Sequence, residues 1–449
     1  MKRDIYQKLL EWKASRRRKP LLLQGARQTG KTYILKAFGE SEYEHLIYCN
    51  FEEDTDLGEF FKRDLNPERI LRDLSIYYDH QIKPETDLLV FDEIQTSNRA
   101  LNALKYFEEE RNDIHIIAAG SLLGLKLSVP GSFPVGKVNF LQLYPMTFLE
   151  VLEGIGESRY RQMLEEMEEP VPLSQPFHTH LVDLLLQYYF TGGMPEAVKN
   201  YAETGNGQET REIQKEIVKS YLMDFAKHAP PFDIPKLTMI WESIPKHLSQ
   251  ENKKFVFRTV KQGARAREYE NALIWLEDAG LIHRATAVRT PNIPLKHYAD
   301  RSCFKIYTLD VGLLGAMSEV PIRLLALGNR LFNEYEGAFV ESYVAQQLIA
   351  RSQSSLYYWR SKGGKAEIDF LYECAGRIYP LEAKAGINPR SKSLRSYDLQ
   401  FSPLICARST LLNLKKDGKI LNLPLYAISL LDRFLETLDT DVPTDHNIK

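Results

Sequence analysis

Cysteine is scarce in this chain of 449 residues, and the net charge is close to zero. It has four cysteines, none in a C-x-x-C pair, and its formal net charge is −2. Scattered cysteines argue against a zinc site or a disulfide framework, so we expect reduced thiols in a cytoplasmic protein. The near-neutral balance excludes a chain covered in basic charge. Any contact with nucleic acid must therefore come from a local patch.

Long hydrophobic runs are also missing. No run approaches the ~18 apolar residues of a membrane span, and the first residues lack the apolar stretch of a secretory signal. We therefore expect no membrane contact. What the chain does have is 44% hydrophobic and 26% charged residues, an ordinary globular composition. Its length is too great for one compact core, so several domains are expected.

The first ~150 residues alternate short β-rich runs with helical patterns. This alternation is typical of an α/β fold with a parallel sheet. The candidate strands are Leu21–Leu23, Leu46–Phe51, Leu88–Phe91, Ile114–Ala118 and Val138–Leu143.

A complete P-loop motif, G-x-x-x-x-G-K-[ST], follows the first of these strands and opens a helix. Its residues are Gly25, Ala26, Arg27, Gln28, Thr29, Gly30, Lys31 and Thr32. The glycines let backbone N–H groups turn toward phosphate, and the helix N-terminus adds a positive end. We expect Lys31 to reach the β- and γ-phosphates of ATP and the Thr32 hydroxyl to bind Mg²⁺.

Two acidic residues end the strand at Phe91. Asp92 is the expected carboxylate that organises Mg²⁺, and Glu93 is the expected general base for the attacking water. Ser121 follows the next buried strand and is a candidate for orienting that water. A plain serine in a strand-to-loop connection explains Ser121 nearly as well.

Helical patterns dominate the middle of the chain. A helix over Arg265–Asp278, followed by strands at Leu281–Val288 and Phe304–Leu309, predicts a winged helix-turn-helix. The predicted regions are a P-loop core at 1–155, a helical region at 156–230, a winged helix at 231–320, a further α/β domain at 330–430 and a tail at 431–449.

Basic residues cluster on and before the predicted recognition helix. The candidates for DNA contact are Arg258, Lys261, Arg265 and Arg267. Such a patch neutralises phosphates and makes binding salt-dependent. A solvated helix face or a protein-docking surface, including one between copies of this chain in a homo-oligomer, explains the same charges.

A second set of charged residues lies near the C-terminal end. Asp369 is followed on the next predicted strand by Glu382 and Lys384, which share one strand face. Glu341 lies on the preceding long helix. This order is the layout of nucleases in which carboxylates hold Mg²⁺ and a lysine helps to activate water. We therefore interpret residues 330–430 as a nuclease-like domain. Solvated charges on edge strands are the alternative.

Over nearly its full length, the chain resembles bacterial and archaeal AAA-type ATPases that carry a C-terminal restriction-endonuclease-like domain of unknown function. The stretches that carry the resemblance are Lys19–Thr32, Phe91–Gln95, Ala119–Ser121, Leu143–Phe148, Gly192–Glu196, Glu251–Phe255, Gly263–Glu270, Leu309–Leu314, Tyr358–Ser361, Glu367–Phe370 and Pro380–Lys384. The resemblance implies an AAA-type P-loop sheet, a helical and winged-helix region, and a nuclease-like α/β domain. Lys137 departs from the arginine of many relatives, which weakens any arginine-finger role for it.

Three functions are compatible with these patterns. The first is an ATP-hydrolysing, DNA-interacting protein with a Mg²⁺-dependent nuclease module. The second is a nucleotide-switched regulator whose nuclease-like fold binds DNA or protein without cleaving. The third is a ring-forming ATPase that remodels proteins.

Overall fold

The computed structural model describes residues 2–120, 134, 136–250, 253–321, 332–352, 355–385 and 391–440. Its internal contacts divide the chain into two compact units. The first contains Met1–Tyr144 and the short segment Asp278–Leu281, and the second contains Pro145–Glu277 and Ile282–Lys449. The predicted helical, winged-helix and nuclease-like regions thus fall largely within one unit.

A parallel five-stranded sheet forms the centre of the first unit. Its strands are β1 Leu21–Gln24, β2 His45–Asn50, β3 Asp87–Asp92, β4 His115–Gly120 and β5 Asn139–Gln142. Their order across the sheet is β2-β3-β4-β1-β5, and all the pairs are parallel. The helices of this unit are α1 Ile5–Ala14, α2 Lys31–Glu42, α3 Pro67–Tyr77 and α4 Asn98–Glu110, with short 3₁₀ helices at Thr55–Phe61 and Ile94–Thr96. Each predicted strand is confirmed to within about two residues at either end.

Both faces of this sheet are covered. Leu22 and Leu89 pack into one buried cluster, whereas their neighbours Leu23 and Val90 pack into a second. Successive side chains of a strand point to opposite faces, so a strand buried on both sides must be apolar throughout. This explains why the strands read as continuous hydrophobic runs.

The second unit begins with helices and ends around a mixed sheet. Its helices are α5 Phe148–Gly154, α6 Ser158–Glu165, α7 Gln175–Thr191, α8 Pro195–Thr204, α9 Gly207–His228, α10 Ile234–Leu248, α11 Phe257–Val260, α12 Ala266–Asp278, α13 Val311–Met317, α14 Phe332–Ser352, α15 Lys392–Phe401 and α16 Leu431–Thr440. Its strands are β6 Ile282–Val288, β7 Ala299–Thr308, β8 Leu356–Arg360, β9 Glu367–Cys374, β10 Arg377–Ala383, β11 Cys406–Thr410, β12 Lys415–Asp417 and β13 Ile420–Pro424. Short 3₁₀ helices occur at Leu295–Tyr298 and Leu425–Leu430.

The hairpin predicted as a wing belongs to this larger sheet. The strand order is β12-β13-β11-β10-β9-β8-β6-β7. Strand β6 pairs antiparallel with β7 and parallel with β8. An isolated hairpin leaves an unpaired edge and is marginally stable, so pairing with β8 satisfies backbone groups that a free wing would leave to water. The predicted order of helix, helix and hairpin is present, but its hairpin is continuous with the strands of the nuclease-like region.

None of the helices in the described ranges is long and apolar enough to cross a membrane.

Gly193 lies at a point of close backbone approach in the second unit. A Cβ atom built there would lie 2.0 Å from the carbonyl oxygen of Met146 and 2.8 Å from its nitrogen. The amide of Met146 donates a hydrogen bond to the Gly193 carbonyl at 2.7 Å. Only glycine fits between these backbone atoms without displacing them.

We therefore expect Gly193→Ala to destabilise the second unit by about 1–3 kcal/mol, because the new methyl group overpacks the contact. Thermal unfolding followed by circular dichroism measures the effect. Gly58→Ala is the control, because a Cβ atom there meets nothing within 4 Å. Equal melting temperatures for the two variants would contradict this account of the contact.

Candidate functional site

The P-loop runs between the carboxyl end of β1 and the start of α2. Two of its residues have positive φ, Gln28 at 63° and Gly30 at 93°. Glycine adopts such a conformation without steric cost. At the other end of the loop, a Cβ atom on Gly25 would lie 2.4 Å from the carbonyl oxygen of Leu143. The two motif glycines are therefore needed for conformation at Gly30 and for space at Gly25.

Lys31 and Thr32 form the first turn of α2. The buried Lys31 ammonium donates to the carbonyl oxygens of Gly25 at 2.9 Å and Ala26 at 2.8 Å. The Thr32 hydroxyl donates to Asp92 Oδ2 at 2.8 Å. The structure thus brings the two predicted Mg²⁺ ligands, Thr32 and Asp92, into direct contact.

Two residues of this region were missed by sequence reasoning. The Tyr48 hydroxyl on β2 donates to Asp92 Oδ2 at 2.5 Å, and burial together with this bond raises the pKa of Tyr48. The buried Arg3 guanidinium donates to the carbonyl oxygens of Thr29 at 2.9 Å and Tyr144 at 2.6 Å. Tyr48 thus holds the Asp92 carboxylate, and Arg3 fastens the loop. No sequence signal marks Arg3. Tyr48 becomes a candidate only once β2 is known to pair with β3.

Glu93 follows β3 directly and has a left-handed backbone conformation, with φ at 51°. Its amide donates to Asp92 Oδ1 at 2.9 Å, and its carboxylate accepts a short hydrogen bond from the Gln95 amide. Gln95 is buried and therefore orients the Glu93 carboxylate. Ser121, the other predicted catalytic residue of this domain, lies outside the described residues.

Lys137 does not stand free as an arginine-finger substitute would. Its ammonium lies 2.8 Å from a carboxylate oxygen of Glu108 and 3.2 Å from one of Glu109, both on α4. These hydrogen bonds raise the pKa of Lys137. Its charge is therefore already committed to two carboxylates within the same unit.

A buried lysine that the sequence did not reveal lies among the C-terminal acids. Lys305 on β7 is 1% exposed, and its Nζ lies 3.3 Å from Glu341 Oε2, 2.6 Å from Glu367 Oε1 and 3.9 Å from Asp369 Oδ1. The Tyr307 hydroxyl also donates to Glu341 Oε2 at 3.0 Å. Two of the three predicted metal ligands, Glu341 and Asp369, therefore share an ammonium group.

Glu341 carries a second cation on its other oxygen, because Lys253 forms a short contact with Oε1. Burial opposes the charge on Glu341, but Lys305 and Lys253 outweigh it and lower the pKa of Glu341. Burial and then the Glu341 charge raise the pKa of Asp369. Glu341 is thus the stable anion of the pair, and Asp369 binds a proton more readily than an ordinary aspartate.

Glu382 and Lys384 pair with each other. Lys384 Nζ lies 3.5 Å from Glu382 Oε1, while Asp369 Oδ2 accepts a hydrogen bond at 2.9 Å from the Ala383 amide between them. Glu382 Oε2 is buried without a hydrogen-bond partner among the described residues. However, Glu341, Asp369 and Glu382 do not offer ligand atoms that all lie within 4.8 Å of one another. The predicted Mg²⁺ ligand set does not fit a single ion in this arrangement.

The basic patch lies on a short helix, a loop and the start of a second helix. Arg258 belongs to α11, Lys261 and Arg265 lie in the connection, and Arg267 is in the first turn of α12. All four side chains are exposed. Within the described ranges, none of them is ion-paired with a carboxylate. The recognition helix predicted from Arg265 thus begins at Ala266, and half of the patch lies in the loop before it.

Three family models match separate parts of the chain. Residues 17–152 match a model described as an AAA domain. This segment has the fold of an AAA-type P-loop domain. Residues 182–323 match one domain of unknown function, DUF8612, and residues 336–426 match another, DUF4143.

Curated relatives add little to the AAA domain match. Two uncharacterized proteins, from Mycobacterium tuberculosis and Mycobacterium bovis, are each 40% identical over 107 residues. The aligned stretch covers 22% of this chain and 22% of each relative.

Solved structures with a similar chain path include a Walker-type ATPase of Pyrococcus abyssi, with 16% identity and a TM-score of 0.42 over 70% of this chain and 95% of that one. They also include the Orc1 protein of Aeropyrum pernix, solved in complex with DNA, with 13% identity and a TM-score of 0.31 over 72% and 94% of the two chains.

We expect Lys305→Met to destabilise the second unit by about 3–5 kcal/mol, because it leaves the buried Glu341 and the partly buried Glu367 and Asp369 without their shared cation. Denaturant unfolding of the full chain measures the loss. The control is Lys419→Met, which removes an exposed ion pair with Asp398 and should cost under about 1 kcal/mol. If the two variants lose equal stability, Lys305 does not hold the acids together. If Mg²⁺ restores the stability of Lys305→Met, a divalent ion can replace the ammonium group.

Proposed function

We propose that this protein hydrolyses ATP at residues 25–32, with Asp92 and Glu93. The observation that carries the proposal is the 2.8 Å contact between the Thr32 hydroxyl and the Asp92 carboxylate beside a buried P-loop lysine. Residues far apart in sequence thereby supply, at one sheet edge, the charge and the oxygen ligands that a nucleoside triphosphate requires.

Each residue has a separate task in this proposal. The loop amides and Lys31 bind the phosphate oxygens, and Glu93 accepts a proton from the attacking water. Gln95 positions Glu93, and Tyr48 holds Asp92. Thr32 and Asp92 are hard oxygen donors that suit Mg²⁺. When bound there, Mg²⁺ would offset the negative charge of the phosphates.

Lys31→Ala should abolish ATP binding, because the phosphates lose the lysine of the loop. Glu93→Gln should retain binding and lower kcat by roughly 10²–10⁴, because it removes the base without changing the side-chain shape. Binding is measured with a fluorescent ATP analogue and turnover by phosphate release.

The control for Glu93→Gln is Glu40→Gln, an exposed glutamate on α2, which should leave both quantities unchanged. Turnover by Glu93→Gln at the rate of the unmodified protein would show that another group is the base.

We further propose that the exposed basic patch binds DNA and that the nuclease-like region does not cleave it. The first part is supported by four exposed cations that lack ion pairs within the described ranges. The second part is supported by Lys305, whose ammonium group contacts both Glu341 and Asp369. A divalent ion at these carboxylates would have to displace a buried charge. This favours the non-cleaving alternative among the functions expected from sequence.

Replacing Arg258, Lys261, Arg265 and Arg267 by alanine should weaken duplex binding irrespective of sequence. It should also reduce the slope of log affinity against log salt by roughly 2–4, because fewer counterions are released. Fluorescence anisotropy over a salt series measures both effects.

A matched control removes four exposed lysines elsewhere in the second unit, Lys199, Lys215, Lys219 and Lys416. It changes the net charge equally and should change the slope much less. An equal loss in both variants would indicate non-specific attraction. The same samples, incubated with plasmid and Mg²⁺ or Mn²⁺, should leave the DNA intact. Cutting that disappears in Asp369→Ala would restore the nuclease hypothesis.

A further inference from the structure

His45, His80 and Asp87 converge at the edge of the five-stranded sheet that lies opposite the P-loop. His45 is the first residue of β2, Asp87 is the first residue of β3, and the parallel register places the two side by side. His80 comes from the connection between α3 and β3. The carboxyl end of β3, at Asp92, is roughly 16 Å away along the strand. This cluster is therefore separate from the nucleotide site.

Each histidine faces a different oxygen of the same carboxylate. His80 Nε2 lies 2.7 Å from Asp87 Oδ2, and His45 Nδ1 lies 3.5 Å from Asp87 Oδ1. The two imidazole rings are 4.3 Å apart between centroids. One ligand atom from each residue falls within 4.8 Å of the others, and this is the single group of three such residues in the part of the chain that is described.

Asp87 is held rigidly in place. Its side chain is fully buried, the Lys83 amide donates to Oδ2 at 2.8 Å, and the Thr86 hydroxyl donates to Oδ1 at 3.1 Å. Such outer hydrogen bonds are the usual means by which proteins orient a metal-binding carboxylate. In contrast, the His45 side chain is half exposed, so a metal ion has access from solvent.

Ordinary ion pairs explain only part of this arrangement. His80 already contacts one oxygen of Asp87 at 2.7 Å, yet His45 faces the other oxygen. Two imidazoles and a carboxylate form a ligand set typical of zinc and related transition metals, rather than of Mg²⁺ or Ca²⁺.

We propose that His45, His80 and Asp87 bind one transition-metal ion, with Zn²⁺ as the natural choice. Ligand atoms about 2.0–2.1 Å from a tetrahedral zinc lie about 3.3 Å from each other. The 3.5 Å separation of His45 and Asp87 already matches this spacing. The 2.7 Å contact of His80 with Asp87 is shorter than this spacing and would lengthen when both residues bind the ion. Water would complete the coordination.

The bound ion would fasten the rim of the sheet. β2 is the edge strand in the order β2-β3-β4-β1-β5, and a shared ion ties its first residue to β3 and to the loop after α3. The expected consequence is stability of the P-loop domain, since a ligand that binds only the folded state stabilises it by mass action. The site does not depend on ATP hydrolysis by this protein.

Isothermal titration of the full-length protein with micromolar Zn²⁺ tests the proposal. We expect one equivalent per chain to bind at this site, with a rise in melting temperature. His80→Ala and His45→Ala should each weaken this binding by roughly 100-fold or more, since each removes a ligand. Co²⁺ in place of Zn²⁺ should give visible absorption bands that His80→Ala abolishes.

The matched control is His180→Ala. His180 also pairs with a carboxylate, Glu157 at 3.2 Å, but belongs to no such group of three among the residues that the structure describes. The His180→Ala variant should still bind one equivalent of Zn²⁺, show the rise in melting temperature and give the Co²⁺ absorption bands. The proposal is overturned if the double variant His45→Ala/His80→Ala binds Zn²⁺ with the stoichiometry and affinity of His180→Ala. Absence of binding to the unmodified protein at micromolar Zn²⁺ would overturn it equally.

Discussion

Alternate residues of β1, β3 and β4 pack into two separate apolar clusters, one on each face of the five-stranded sheet. An unpaired polar group on either buried face would be destabilising, so we do not expect catalytic or metal-binding side chains there. Polar residues are therefore found where strands begin or end. Thr32, Asp92 and Glu93 cluster beyond the carboxyl ends, and His45 and Asp87 stand at the amino ends. Burial of both faces thus determines where both candidate sites of this domain lie.

The strand order has an equally direct consequence. Because β4 lies between β1 and β3, the P-loop and Asp92 are separated by one strand rather than being adjacent. Thr32 projects from the first turn of α2 and reaches Asp92 across this gap. Tyr48 reaches the same carboxylate from β2 on the far side. The Asp92 side chain is thus held by hydroxyl groups from two different elements.

Charge balance governs the second unit. Lys305 is buried with three carboxylates in its surroundings, and a lone charge at that depth would be strongly destabilising. The ammonium group of Lys305 pairs with Glu341, Glu367 and Asp369, and these ion pairs offset one another's charge. We therefore interpret the cluster as a structural feature of the second unit. The same compensation weakens its case as a metal site. A nuclease-like arrangement of acids along the sequence is therefore compatible with a scaffold, since the role of a carboxylate depends on which cation contacts it.

Local patterns in the sequence predicted the elements well, because their causes are local. The strand at 88–91 reads as apolar residues followed by acids, and the structure has β3 at Asp87–Asp92. The helix predicted at 265–278 is observed at Ala266–Asp278. The P-loop was recognisable because glycine conformation, helix start and lysine spacing lie within eight residues. Thr32 and Asp92 were each expected to serve Mg²⁺, whereas their direct hydrogen bond became known only from the structure.

Only the tertiary structure decided which distant residues meet. Lys305 lies 36 residues from Glu341 in a strand predicted as part of a wing, so no spacing rule linked it to the acids. Pairing of β6 with β8 brought it there, and that pairing depends on the satisfaction of strand edges. Likewise, His45, His80 and Asp87 share no motif and meet through strand register and a loop. The sequence by itself determined the elements and the nucleotide motif, since these depend on neighbouring residues. The position of Lys305 among the acids and the convergence of His45, His80 and Asp87 depended on strand order. Strand order is determined by the packing of the whole chain.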